Sequence, residues 1–179
     1  MNSESDLIID GVKLHLLIDR QEITSRVMRL AEQLSIDYAG KKPIFLCVLN
    51  GSFIFASDLV RRFTGNCEVC FIKMASYDGD TSTGKMKIPI GLPENLAGRH
   101  VIIVEDIVDT GFTMKNLKDM LHSQATASVR LASLFIKPTK LKYDVKVDYC
   151  AFEIPDDFIV GYGLDYNGLY RNLPDIYAK

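Results

Sequence analysis

The sequence predicts an α/β fold, a single domain over residues 1–179 in which helices flank a central, mostly parallel sheet. Three observations point there. Strand-like apolar runs alternate with stretches of helical spacing along the chain. Two of those runs, "PIFLCVLNG" and "HVIIVEDIV", are continuous rather than alternating, which suits strands buried on both faces. The length of 179 residues, with 47% apolar and 25% charged residues, is ordinary for one soluble unit with a substantial core.

Each element can be justified in order. In "DRQEITSRVMRLAEQLSI", Asp19 and Glu22 stand at capping-box spacing, and Ile23, Val27, Leu30, Ala31 and Leu34 then share one helical face. "PIFLCVLNG" is a strand ended by a Gly turn, and "SFIFASDLVRRF" reads as the helix after it. "CEVCFIKMASY" is a further strand, whereas "DGDTSTGKMK" is polar, small and Gly-containing, hence a loop. "HVIIVEDIV" is the clearest strand, and Met114, Leu117, Met120 and Leu121 mark the helical face that follows it. "SVRLASLFIK" and "VDYCAFEI" complete the series.

Composition narrows the function classes. The 21 Lys+Arg are outnumbered by 23 Asp+Glu, which argues against a surface built to coat nucleic acid or an anionic membrane. No apolar run approaches the roughly 20 residues that cross a bilayer, and the acidic start "MNSESDLIID" does not read as a signal peptide. The cysteines Cys47, Cys67, Cys70 and Cys150 include one C-x-x-C with no second pair, so they are expected to be plain thiols, buried or half-buried, in a reducing cytosol. His15, His100 and His122 are scattered and predict no metal cluster.

The chemistry concentrates in "VIIVEDIVDTGFTM". Ligands of open α/β sheets bind at the carboxyl ends of the strands, where Glu105, Asp106 and Asp109 fall. Thr110, Gly111, Phe112 and Thr113 follow at a helix start, whose unpaired N–H groups and positive dipole end suit a phosphate. A purely structural account makes Thr110 the N-cap and lets the acids complement the helix dipole. That accounts for one or two carboxylates, not for three beginning inside the apolar run. Acids beside an anion cradle make sense if they serve another part of the same ligand, either sugar hydroxyls or Mg²⁺. Two common phosphate-binding motifs are missing. No G-x-x-x-x-G-K-[ST] occurs, and "GYGLDYNG" lacks the third glycine and the strand-to-helix context of a dinucleotide site.

"VIIVEDIVDTGFTM" closely resembles the phosphoribosyl-pyrophosphate signature of the type I phosphoribosyltransferases. "FIKPTK" and "FEIPDDFIVGYGLDYNGLYR" are similar to the purine-binding end of the hypoxanthine(-guanine) branch of that family. "VLNGSFIFASDL" resembles its pyrophosphate loop and "KMASYDGDTSTG" its flexible active-site loop. The resemblance runs from about Pro43 to Arg171 and implies a type I phosphoribosyltransferase fold with a small hood over the base site, to which the segment before Pro43 contributes.

Residue by residue, the resemblance implies that Glu105 and Asp106 hold the ribose 2- and 3-hydroxyls, directly or through Mg²⁺-bound water. Asp109 would face the five-membered ring of the purine and take its proton, as the catalytic base. Thr110, Gly111, Phe112 and Thr113 would bind the 5-phosphate. Lys137 would reach the 6-oxo group, Phe158 would stack on the purine, and Ile159 would offer backbone contacts. Asp165 would ligate a second Mg²⁺, and Arg171 would neutralise pyrophosphate. Asn50 and Gly51 would contact pyrophosphate through backbone N–H groups, around a cis peptide preceding Asn50. Asn50 stands where the family often carries Lys or Arg, so no role follows for its side chain. Ser76 and Tyr77 belong to the closing loop. The implied activity is Mg²⁺-dependent purine salvage from phosphoribosyl pyrophosphate and 6-oxopurines such as hypoxanthine and guanine, by a cytoplasmic homodimer or homotetramer with no nucleic-acid or membrane partner.

Two other classes use related parts. A phospho-receiver domain also ends a strand in an acid pair and carries a Lys-Pro, but its pair lies near the start of the chain; here Glu105 lies past the midpoint. An RNA-binding regulator on the phosphoribosyltransferase fold should show a basic face, which the net charge of −2 does not suggest.

Overall fold

A computed structural model describes residues 6–75 and 87–179. In chain order the elements are β1 (Leu7–Ile9), β2 (Val12–Ile18), α1 (Arg20–Asp37), β3 (Ile44–Leu49), α2 (Phe53–Arg62), β4 (Glu68–Ala75) and β5 (Lys87–Ile90). They continue with β6 (His100–Val108), α3 (Phe112–His122), β7 (Ser128–Ile136), a 3₁₀ turn (Pro138–Lys140), β8 (Tyr149–Glu153), β9 (Ile159–Val160) and β10 (Ile176–Ala178).

The larger sheet has the order β5-β4-β3-β6-β7-β8. Strands β4, β3, β6, β7 and β8 are parallel, and only β5 at the edge runs antiparallel. The central register places Ile103 opposite Leu46 on one side and Leu131 on the other. Side chains alternate across a strand, so an apolar run fills both faces at once. On one face Phe45, Cys47, Ile102 and Val104 join Ile23, Val27, Ala31 and Leu34 of α1 and Phe55 and Leu59 of α2. On the other, Leu46, Ile103 and Leu131 meet Met114, Leu117 and Leu121 of α3. Two buried faces are what the uninterrupted runs predict. Leu30 and Met120, assigned to buried helical faces, are only half-buried at their margins.

A second sheet, β1-β2-β10-β9, is antiparallel throughout. It joins the two ends of the chain and supplies the expected hood. Asp175 clasps it to α1, accepting from the Arg20 backbone N–H at 2.8 Å, its Nε at 3.1 Å and its Nη2 at 2.8 Å. At the start of α1, Asp19 accepts from the N–H groups of Gln21 and Glu22, both at 2.8 Å, which is the capping the sequence predicts. All four cysteines are free thiols. Burial pushes Cys47 up to about 12 and Cys150 up to about 11, as unreactive structural thiols require. Among the described residues, no helix is long and apolar enough to cross a membrane.

Candidate active site

The strand order places β3 beside β6, so their carboxyl ends open onto one crevice. A cleft of about 290 Å³ lies there, and its lining runs from Asn50 and Gly51 through Glu105–Thr113 to Asp165 and Arg171. Segments far apart in sequence thus meet where open α/β sheets bind ligands.

Glu105 and Asp106 end β6 inside the cleft. Glu105 is buried, and burial, followed by the neighbouring Asp106 carboxylate, pushes its carboxyl well above the usual range. Its Oε1 accepts from the Asp106 N–H at 3.1 Å, and Asp106 Oδ1 accepts from the Ile107 N–H at 2.8 Å. Across the crevice, Gly51 leaves no room for a side chain, because a Cβ there would overlap the Asp106 carboxylate. The Leu49–Asn50 peptide is cis, as the resemblance implies.

Asp109 follows the strand. Its Oδ2 lies 3.4 Å from the Lys140 ammonium, while Oδ1 is buried and has no hydrogen-bond partner among the described residues. The chain then turns through Gly111 at φ 84°, which is the N-cap of α3 and offers no side-chain cap; Thr110 is not the N-cap, although its Oγ1 accepts from the Phe112 N–H at 3.4 Å. The left-handed backbone favours glycine, and a Cβ would also press on the Tyr143 carbonyl. The Thr110 carbonyl is held by the N–H groups of Lys142 and Tyr143, at 3.0 and 3.3 Å. Residues 110–114 line the cleft, and apart from the long Phe112 contact the first-turn N–H groups of α3 have no side-chain cap, which suits an anion cradle.

The residues expected to read the base lie at the end of β7 and around β9. The Lys137 N–H donates to the Val108 carbonyl at 3.0 Å, which brings the end of β7 beside the end of β6. Its side chain is buried, with Nζ donating to the Asp157 carbonyl at 2.7 Å and lying 3.4 Å from Asp156 Oδ1. Phe158 is 42% exposed and meets Tyr166 edge-on at 5.6 Å, an orientation that leaves ring surface open to a stacking partner. Ile159 is buried in β9.

Arg171 and Asp165 form an ion pair at 2.5 Å, and Arg171 also donates to the Gly163 carbonyl at 2.6 Å. Asp165 further accepts from the Gly168 N–H at 2.7 Å. Both side chains line the cleft, so the guanidinium is aimed before any ligand arrives. Ser76 and Tyr77 lie outside the described residues.

Three contributors carry no role that their sequence context announces. Gly163, at φ 104°, sits directly on the Gly51 carbonyl, where any Cβ would collide. Lys140 and Asp156 pair at 2.8 Å beside Asp109. The Lys140 hydrogen bond is the main reason that Asp156 lies below the usual carboxylate range. The only sequence signal for the pair is the three-residue spacing of Lys137 and Lys140 around a proline.

Among the described residues, no group of three or more His, Cys, Asp or Glu side chains is gathered to hold a metal. That excludes an all-protein cage there, but it fits Mg²⁺, which is commonly held by one or two carboxylates with the remaining positions taken by ligand oxygens and water. Glu105 with Asp106, and Asp165, would be the carboxylates to hold it.

The phosphoribosyl transferase domain family matches residues 17–167. The chain belongs to the phosphoribosyltransferase family and, within it, to the hypoxanthine-guanine phosphoribosyltransferase branch. It is 44% identical over 162 residues to the hypoxanthine-guanine phosphoribosyltransferase of Streptococcus pneumoniae, covering 90% of each chain. It is 40% identical to the hypoxanthine-guanine-xanthine phosphoribosyltransferase of Tritrichomonas foetus, covering 90% of this chain and 88% of that one. The hypoxanthine phosphoribosyltransferase structure from Staphylococcus aureus superposes with a TM-score of 0.87 at 38% identity, over 92% of this chain and 90% of that one.

Proposed function

We propose that this enzyme catalyses purine salvage by transferring the phosphoribosyl group of phosphoribosyl pyrophosphate to a ring nitrogen of hypoxanthine or guanine. The products would be IMP or GMP and pyrophosphate. The observation that carries the reading is Asp109. Its side chain is 44% exposed at the rim of a cleft with an acid pair on one side and the start of α3 on the other. Oδ1 is shut off from solvent, and the accessible carboxylate oxygen is an acceptor that a purine N–H can meet.

In this reading the sugar lies over Glu105 and Asp106, with the 5-phosphate on the N–H groups of residues 110–113. As the bond to pyrophosphate breaks, the anomeric carbon gains cationic character. Carboxylates beside the ribose provide a favourable field for it. The leaving pyrophosphate faces the N–H groups around Asn50 and Gly51 and the guanidinium of Arg171, already oriented by Asp165. Bound Mg²⁺ would add charge neutralisation at the same oxygens. Asp109 takes the proton that the purine must lose, and Phe158 holds the ring by stacking while Lys137 donates to its 6-oxo group. Lys137 gives up the Asp157 carbonyl to do so, exchanging one acceptor for another.

The test is turnover with phosphoribosyl pyrophosphate and Mg²⁺ against hypoxanthine, guanine, xanthine, adenine and orotate. Consumption of hypoxanthine and guanine, with adenine and orotate refused, is expected. Failure to consume any of the three 6-oxopurines would overturn the assignment.

A further inference from the structure

The two lysines of "KPTK" are not independent. Pro138–Lys140 forms a 3₁₀ turn, closed by the Lys140 N–H donating to the Lys137 carbonyl at 3.0 Å. A 3₁₀ helix has three residues per turn, so side chains at i and i+3 eclipse one another. Lys137 and Lys140 therefore project to the same side, and both ammoniums reach Asp156 Oδ1, at 3.4 and 2.8 Å. Lys140 also reaches Asp109 Oδ2 at 3.4 Å. The result is a continuous chain of charges from Asp109 through Lys140 and Asp156 to Lys137, which ends on the Asp157 carbonyl.

This arrangement divides the Asp109 carboxylate. Oδ1 is shut off from solvent and has no partner among the described residues, whereas the side chain is 44% exposed, so the oxygen a ligand can reach is Oδ2, the one the Lys140 ammonium contacts. A carboxylate on a short side chain can rotate, so how Oδ2 is presented depends on what anchors it. We propose that Lys140, itself fixed by Asp156, is a positioning residue that holds Asp109 Oδ2 in place for the purine proton. Asp156 holds both lysines and so links the group that takes the proton to the group that reads the 6-position. The inference rests on the proposed transfer reaction, and wild-type turnover with hypoxanthine tests that reaction by itself.

Lys140 is partly exposed and sits in the short 3₁₀ turn after β7, so removing its charge is expected to leave the fold intact. Lys140→Met should lower kcat for hypoxanthine on the order of 10-fold, since a misplaced reacting group is penalised steeply. KM for phosphoribosyl pyrophosphate and the thermal melt should be unchanged, and Lys140→Arg should recover most of the rate. The decisive comparison uses Asp109→Asn. If Lys140 acts through Asp109, adding Lys140→Met to that variant should cost less than about twofold more. An equal loss in both backgrounds, or a raised KM with kcat retained, overturns the proposal. A structure of Lys140→Met gives an answer independent of turnover. An Asp109 carboxylate rotated from its wild-type position supports the assignment, and one left in place sinks it.

Discussion

At Asp109 a single side chain carries both a structural oddity and the proposed proton transfer. Asp109→Asn keeps the shape but replaces a proton acceptor with an amide. Because positioned acid–base groups typically contribute about 10²–10⁴-fold, kcat should fall by that range with little change in KM for phosphoribosyl pyrophosphate. A near-wild-type kcat would show that the proton leaves by another route. Lys137 tests base selection. An ammonium facing the amino group of adenine puts donor against donor, and a buried charge left unpaired costs on the order of a few kcal/mol. Lys137→Gln can turn either its oxygen or its NH₂ to the base, so kcat/KM should drop for hypoxanthine and much less for adenine. Equal losses for both bases would remove Lys137 from 6-position reading. Gly51 gives a third prediction. In Gly51→Ala the new methyl overlaps Asp106 Oδ2, the tip of a short side chain that can swing away. Folding should survive while activity collapses, because the displaced carboxylate is one proposed to face the sugar. Circular dichroism alongside turnover separates the two effects.

Elements show what was legible in the sequence and what was not. Strands β3, β6 and β7 were clear because two buried faces demand uninterrupted apolar runs, and α1 and α3 because one buried face imposes helical spacing. The acid–turn segment after β6 was legible for the same reason: carboxylates in an apolar run break the pattern. The hood strands were not. β1, β9 and β10 are two or three residues long, too short for any period to emerge, and β10 pairs with β2 from the opposite end of the chain. Edge strand β5 contains Pro89, which a sheet interior would exclude but an edge tolerates. Gly163 was equally hidden, since its need for a bare Cα comes from the Gly51 carbonyl, over a hundred positions away. Gly163→Ala must hold alanine at φ 104° and push that carbonyl back. Backbone strain alone costs about 1–3 kcal/mol. For a chain of this size each kcal/mol lowers Tm by roughly 2–4 °C. Because the carbonyl belongs to the turn proposed to hold pyrophosphate, KM for phosphoribosyl pyrophosphate should rise as well. A variant with an unaltered melting point would mean the turn relaxes freely.

Across the whole molecule, the clasp between Arg20 and Asp175 joins the hood to α1, and through α1 to the main core. Those partners stand 155 positions apart, so losing the clasp loosens the chain's two ends together. Burial alone would raise the Asp175 carboxyl, but the Arg20 side-chain and backbone hydrogen bonds and its positive charge outweigh burial and hold it below the usual range. The sign of the pH effect follows. An unfolded Asp titrates near about 3.9, so the clasp contributes its full stability above that value and loses it as pH falls through the lower folded value. The guanidinium is largely exposed and screened, so the charge contributes less than it would in a fully buried pair. Asp175→Asn keeps the volume but removes the charge and turns one acceptor into an NH₂ group facing an Arg20 donor. Its urea midpoint should lie below that of the wild type from about pH 7 down to about pH 5, and the gap should narrow below about pH 4 as Asp175 itself protonates. A gap of constant size down to about pH 2 would assign the loss to altered hydrogen-bond geometry instead of charge.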